Sequence, residues 1–219
     1  MQNISHAVMA QRSEKIDSLD DFPTPPWATR AFLEYILNGK NALSHQTCLE
    51  PACNRGYMSM VLEEYFMEVK KSDIFDYGCG DVKDFLSKSY KKDSFDWVIT
   101  NPPFKAAENF IHESLKVARV GVAMLVRTVF LESLGRYQRL FNIHPPTYFA
   151  QYVERVPMVK GRLDKKASTA TGYGWVVWLM DSKYSSETLL KWIPPSRKIF
   201  EYTDDYKLVS TNNYLENTL

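Results

Sequence analysis

The sequence predicts an α/β domain built on a doubly wound, mostly parallel sheet. Three observations carry that expectation. Strand and helix patterns alternate from Thr47 to Met180. One strand, Val120 to Val126, is apolar throughout, as a strand covered on both faces must be. The segments directly after strands hold acids, Asn and Pro, where such sheets bind ligands beyond the carboxyl ends of their strands.

Residues 1–21 are read as a loose arm, polar and unpatterned over the first 20. The prolines Pro23, Pro25 and Pro26 stop any regular element, and a helix starts at about Pro26 with proline in its first turn. Ala31, Phe32, Tyr35 and Ile36 share a face of that helix, and Asn38-Gly39 stops it. Thr47 to Glu50 reads as a strand, Tyr57 to Phe66 as a helix and Glu68 to Ile74 as a strand. Phe95 to Thr100 is an apolar strand ended by two prolines. Ala106 to Ala118 is a helix with Phe110, Ile111, Leu115 and Ala118 on one side, and Phe130 to Phe141 is another. Tyr173 to Met180 is the final strand, so the domain spans 22–182, with 183–219 as a C-terminal extension.

A chain of 219 residues fits one domain with short extensions, and 45% hydrophobic residues suffice for a core. The net charge of +1 gives no support to a protein that wraps long duplex. Charge is local instead: Arg155, Lys160, Arg162, Lys165 and Lys166 stand against Glu154 and Asp164. Cys48, Cys53 and Cys79 are an odd number without paired spacing, which reads as reduced thiols in a cytoplasm. His6, His45, His112 and His144 are scattered, so no metal site is expected. No apolar run reaches the ~18 residues of a membrane span, and no apolar stretch of a signal peptide opens the chain.

Four post-strand segments carry chemistry. Glu50-Pro51-Ala52-Cys53-Asn54-Arg55-Gly56 is an acid at a strand end, a tight turn and a helix start, an arrangement suited to a nucleotide-type ligand. Asp73, after the second strand and about twenty residues on, is placed to accept from two ribose hydroxyls. Asp84-Phe85 offers an acceptor for an adenine amino group beside a ring. Asn101-Pro102-Pro103-Phe104 decides the chemistry. Two prolines remove two backbone donors and stiffen the turn, which fixes the Pro102 carbonyl. The Asn101 side-chain carbonyl is a second acceptor nearby, and Phe104 can stack on a flat base. Two acceptors converging on an amino group draw its nitrogen toward tetrahedral geometry and stabilise the positive charge it develops.

From Phe22 to Met180 the chain resembles amino-methyltransferases with a Rossmann-like fold and an Asn-Pro-Pro-Phe motif, and most of all the small adenine-specific DNA methyltransferases of bacteria and phages. The resemblance implies S-adenosylmethionine as cofactor and a mostly parallel seven-stranded sheet with an antiparallel last strand. Phe22, Thr24 and Pro25 look like the element that contacts the methionine part of the cofactor. Glu50, Pro51, Ala52, Asn54 and Gly56 look like the cofactor loop. Asp73 would be the ribose acid, Asp84 and Phe85 would flank the cofactor adenine, and Asn101 would border cofactor and target alike. Asn54 stands where the family usually has Gly, and Asn tolerates the left-handed conformation better than other non-glycine residues.

The implied target is the N6 atom of adenine in DNA, flipped into a pocket between Asn101 and Phe104. RNA adenine or a protein glutamine remains open, since the motif is shared by enzymes acting on them, as does a non-catalytic nucleic-acid-binding module. Arg127, after the apolar strand, and the basic stretch Lys160, Arg162, Lys165 and Lys166 are the expected nucleic-acid contacts. A solvated loop is the alternative for that stretch.

Overall fold

The structure, a computed structural model, describes residues 20–181 and 187–206. Its centre is an eight-stranded sheet of order β3-β2-β1-β4-β5-β7-β6-β8. The strands are β1 (Thr47–Glu50), β2 (Glu68–Asp73), β3 (Asp81–Val82), β4 (Phe95–Thr100), β5 (Ala118–Arg127), β6 (Tyr148–Tyr152), β7 (Tyr173–Leu179) and β8 (Leu189–Ile193). β1, β2, β3, β4 and β5 pair in parallel; β7 runs antiparallel to both β5 and β6; β8 is parallel to β6.

Two features of the sheet differ from expectation. Among the described residues the sheet has eight strands rather than seven, and the antiparallel strand is β7, which β8 follows. The eighth strand, Leu-Leu-Lys-Trp-Ile, lies at the sheet edge with Leu190 and Trp192 exposed, so it lacks the continuous burial that makes a strand conspicuous. It also means that residues 187–206 are built into the domain rather than appended to it.

Alternation along the central strands explains the layers. Trp97, Ile99, Ala123, Leu125, Trp175 and Val177 belong to one core; Val98, Val122, Met124, Val126, Val176 and Trp178 belong to the other. The first core is closed by α1 (Pro26–Ile36) and α3 (Tyr57–Tyr65), with Phe32 stacked on Trp175 at a centroid distance of 4.1 Å. The buried Tyr152 hydroxyl accepts from Trp175 Nε1 and donates to the Ala28 carbonyl, each at 2.6 Å, so both polar groups of that pair are met. The second core is closed by α4 (Ala107–Val117).

α1 starts on Pro26 and ends at Ile36 as the sequence predicts, with Asn38 left-handed at φ 63° before the short α2 (Gly39–Leu43). Ala31, Phe32 and Ile36 are buried, whereas Tyr35 is exposed and meets Phe200 edge-on. The expected helix Phe130 to Phe141 is broken into turns at Thr128–Leu131, Leu134–Arg136 and Tyr137–Phe141. Ser133 and Gly135 account for the break: Ser133 turns its hydroxyl onto the Arg136 N–H as a cap, and glycine weakens a helix interior.

Candidate active site

The chain runs outward from β1 to β2 and β3, then returns to β4 on the other side of β1. The order therefore reverses between β1 and β4, and a crevice opens beyond their carboxyl ends. A cavity lies there. Its walls come from the end of β1 and the turn beyond it (Glu50, Ala52, Cys53, Asn54), the end of β2 and the loop beyond it (Asp73, Ile74, Tyr77) and the segment after β4 (Asn101, Pro103), with Phe22 and Thr24 closing it from the approach to α1.

The turn after β1 is held by its own polar atoms. Asn54 is left-handed at φ 49° and Gly56 at φ 82°. Asn54 offsets its strain with three hydrogen bonds: its N–H donates to Asp73 Oδ2 at 2.9 Å, its Nδ2 to Asp21 Oδ1 at 2.8 Å, and its Oδ1 accepts from the Arg55 N–H at 2.6 Å. Asp21 also pairs with Arg55 at 3.1 Å. The asparagine is thus a structural part of the turn.

Asp73 accepts from two backbone amides, Asn54 on one oxygen and Phe75, at 3.0 Å, on the other. A carboxylate has roughly four acceptor positions, so these amides leave room for a ligand donor. Burial raises its pKa above the ordinary carboxylate value, only partly offset by the amides of Phe75 and Asn54. Hydroxyl donors from a bound ligand would favour its charged form.

Glu50 is 2% exposed and accepts from the Ser59 hydroxyl. Burial pushes its pKa well above the carboxylate range, against the lowering effect of Ser59. A carboxyl whose folded-state pKa is raised stabilises the fold below its unfolded value, about 4.3, and loses that stability as the pH rises toward the folded value. Glu50→Gln should therefore gain in melting temperature over wild type progressively as the pH is raised from about 4.3. Thermal melts across pH check this, and an opposite trend would show the carboxylate to be favoured in the fold.

Asn101, directly after β4, has an unambiguous amide orientation. Its Nδ2 lies 3.0 Å from the Phe22 carbonyl, an acceptor only, so the nitrogen must face that way. Nδ2 also meets Thr24 Oγ1 at 3.2 Å and Met158 Sδ at 3.6 Å. The opposite atom, Asn101 Oδ1, is buried and has no hydrogen-bond partner. Pro102 is buried, and the Pro103 carbonyl accepts from the Ala106 N–H at 2.9 Å. The Phe104 N–H donates to Asp20 Oδ2 at 2.8 Å, and its ring sits 5.3 Å from that of Phe22.

Beside Phe104 and Phe22 the cavity meets an open cleft. Lys105, Arg127, Lys160 and Arg162 line it, against one acid, Asp20. The Arg127 guanidinium lies 3.9 Å from the Phe104 ring centroid.

The structure thus gathers Phe22, Thr24, Glu50, Ala52, Asn54, Asp73, Asn101 and Pro103 around the cavity, and Phe104, Arg127, Lys160 and Arg162 around the cleft. Pro25, Pro51, Pro102 and Gly56 shape the turns behind the cavity rather than lining it. Asp84 and Phe85 lie elsewhere. Asp84 is exposed and caps its own turn by accepting from the Leu86 N–H, while Phe85 packs in the second core against Phe110. Ile74 and Tyr77 stand at the cavity in their place. Lys165 and Lys166 do not reach the cleft: the Lys165 ammonium lies 5.6 Å from the Tyr206 ring, and the Lys166 N–H donates to Asp164. Sequence reasoning missed Asp20, Asp21, Lys105 and Met158. The acid pair directly before Phe22 and the lysine directly after Phe104 were the available signals; Met158 had none.

No protein-family model matches the sequence, and no curated protein matches it. Solved structures do. A modification subunit assigned to a type I restriction enzyme of Vibrio vulnificus YJ016 matches 96% of this chain at 14% identity and a TM-score of 0.56, and the chain spans 54% of that subunit's length. A Pyrococcus horikoshii protein designated an RNA methyltransferase matches 74% of this chain and 87% of its own at 15% identity and a TM-score of 0.54. A Listeria monocytogenes protein designated a class I S-adenosylmethionine-dependent methyltransferase matches 87% of this chain and 68% of its own at 13% identity and a TM-score of 0.51. At these identities the likeness is one of fold: the chain has the Rossmann-like fold of S-adenosylmethionine-dependent methyltransferases.

Proposed function

We propose that this protein is an S-adenosylmethionine-dependent methyltransferase acting on an amino nitrogen, with the N6 atom of adenine in DNA as its target. One observation carries the reading: Asn101 Oδ1 is a buried acceptor with no partner, its direction fixed by the Nδ2 bond to the Phe22 carbonyl. An orphaned buried acceptor costs about 1–3 kcal/mol, and a donor from a ligand removes that cost. An exocyclic amine supplies such a donor.

The residues present fit the cofactor. Asp73 retains acceptor positions for ribose hydroxyls, and Ile74 and Tyr77 offer apolar surface for a base. Glu50, Thr24 and Phe22 border the same cavity as Asn101. When bound, S-adenosylmethionine supplies an activated methyl group. Asn101 accepts a hydrogen of the target amine and favours the charge its nitrogen develops. The Phe104 ring offers a stacking face for the target base, which must share that ring with Arg127 or displace it.

Four cations lining one cleft support a polyanionic substrate. Replacing Lys105, Arg127, Lys160 and Arg162 together by Gln is expected to weaken DNA binding and flatten its dependence on salt. Each lost phosphate contact lowers the slope of log affinity against log salt by ~0.9 on duplex. Lys165→Gln with Lys166→Gln should leave the slope unchanged. A salt titration of the three proteins reads both, and superimposable curves would remove the cleft from consideration.

Transfer of a labelled methyl group to DNA, RNA and protein fractions, with mass analysis of the nucleosides, tests the function. N6-methyladenine in DNA is the expected product. Label in RNA or on glutamine would replace the substrate while keeping the chemistry; no label in any fraction would refute it.

A further inference from the structure

Cys53 and Cys79 are brought together from different loops beside the cofactor cavity. Cys53 lies in the turn after β1 and lines the cavity; Cys79 lies between β2 and β3. Each sulfur lies against the other's loop, Cys79 Sγ beside Gly56 and Cys53 Sγ beside Gly80. Two glycines make room for them. A Cβ on Gly56 would fall 2.3 Å from Cys79 Sγ, and one on Gly80 would fall 3.0 Å from Cys53 Sγ and 2.8 Å from the Lys71 carbonyl. Only residues without a side chain allow the sulfurs this approach. All three cysteines are free, and Cys48 is fully buried on β1, inside the first core.

We propose that Cys53 and Cys79 form an oxidisable thiol pair, and that closing it into a disulfide weakens cofactor binding in the adjoining cavity. The consequence for the cofactor rests on the function proposed above; the pair itself does not.

The two thiols differ in the way the chemistry needs. Cys79 is half-buried and borders a surface recess shared with Lys70 and Lys71, open to a small oxidant. The neighbouring Cys53 thiol and the nearby Lys71 charge lower its pKa from the usual thiol value to about 7, whereas the neighbouring Cys79 and burial raise Cys53. Cys79 is therefore the nucleophile and Cys53 the resolving thiol. With hydrogen peroxide as oxidant, the Cys79 thiolate attacks one oxygen and breaks the O–O bond. The expelled hydroxide takes a proton and leaves as water, and Cys79 becomes a sulfenic acid. The Cys53 sulfur then attacks the Cys79 sulfur, forming the S–S bond. The sulfenic hydroxyl leaves with the Cys53 proton as a second water. Two thiols lose two electrons, and one peroxide becomes two waters.

The geometry supplies the effect. Sulfurs in non-bonded contact are roughly 3.5 Å or more apart, while a disulfide is about 2.05 Å long. The loops must close by about 1.5 Å, the difference of those lengths. Cys53 cannot move alone: its N–H is bonded to the Ser72 carbonyl at 2.9 Å and its carbonyl to the Gly56 N–H at 2.9 Å. Its neighbours Ala52 and Asn54 line the cavity, and Asn54 is bonded to Asp73.

The full-length protein is to be treated with hydrogen peroxide, its thiols counted after denaturation, its peptides mapped without reduction, and its affinity for S-adenosylmethionine measured by calorimetry. Three thiols should fall to one, with a Cys53–Cys79 crosslink, and the Kd should rise at least tenfold and recover with dithiothreitol. Cys79→Ser should keep the affinity of reduced wild type through the same treatment. Mapping of the wild type decides the crosslink whether or not that variant folds. Three remaining thiols, a crosslink through Cys48, or a Cys53–Cys79 crosslink with unchanged Kd would overturn the proposal. Absence of S-adenosylmethionine binding by the reduced protein would instead refute the function above, and the thiol count and map would still judge the pair.

Discussion

Asn101→Ala is expected to lose about 10²–10³-fold in methyl transfer, the equivalent of roughly 2.7–4 kcal/mol at comparable sites where one polar group faces developing charge. The magnitude stems from the position of Oδ1. It is buried, unpaired, and aimed by a nitrogen whose own partners, the Phe22 carbonyl and Thr24, leave it no freedom to flip. Such an acceptor needs no reorganisation when the amine arrives, and reorganisation is what makes water a poor substitute. Calorimetry with S-adenosylmethionine serves as the control, because the cavity walls after β1 and β2 are untouched and cofactor affinity should persist. Near-normal turnover would refute the mechanism; loss of cofactor binding along with turnover would reassign Asn101 from accepting the target amine to holding the cofactor.

The largest effect on stability is expected at Arg30. This residue is 3% exposed on α1 and its guanidinium is fully engaged. Nε donates to Glu64 Oε2 at 2.8 Å; Nη1 donates to the Phe200 carbonyl at 3.0 Å and to Asp205 Oδ2 at 2.9 Å; Nη2 meets Asp205 Oδ1 at 2.9 Å; and the Tyr202 ring lies 4.2 Å away. Burial alone would lower its pKa, but the carboxylates of Glu64 and Asp205 outweigh burial and raise it. Asp205 is itself 3% exposed. Arg30→Ala therefore strands a buried carboxylate, a change that costs about 3–5 kcal/mol. For a domain of this size that is roughly 6–20 °C in melting temperature. Glu64→Gln should cost no more than about 1 kcal/mol, because that partner is well exposed and screened. The double variant Arg30→Met with Asp205→Leu should recover most of the loss, since it removes both charges together. Denaturant unfolding of the four proteins checks the set. An Arg30→Ala loss below about 1 kcal/mol would mean that the segment 197–206 contributes little to the fold.

The central strands, and the turns beyond them that border the cavity, were legible in the sequence. Each of β1, β4, β5 and β7 is signalled by a run of largely buried residues, and the cavity walls by the residues at and just beyond the ends of β1, β2 and β4. These signals are local because a strand end and its turn occupy neighbouring residues. The tertiary structure alone decided the features that rest on residues far apart. Phe85 was read as a ligand-facing ring, yet packing against Phe110 claims it for the core. β8 is a strand only because β6 offers it an open edge. Asn101 is oriented by a residue 79 positions away, Arg30 is neutralised by one 175 away, and the loops of Cys53 and Cys79 meet although α3 and β2 separate them along the chain. No short window along the chain contains both members of such a pair. Pattern therefore specified which strand ends could carry chemistry, and three-dimensional packing specified which of their side chains do, because a polar side chain's role is set by the partners that reach it in the fold.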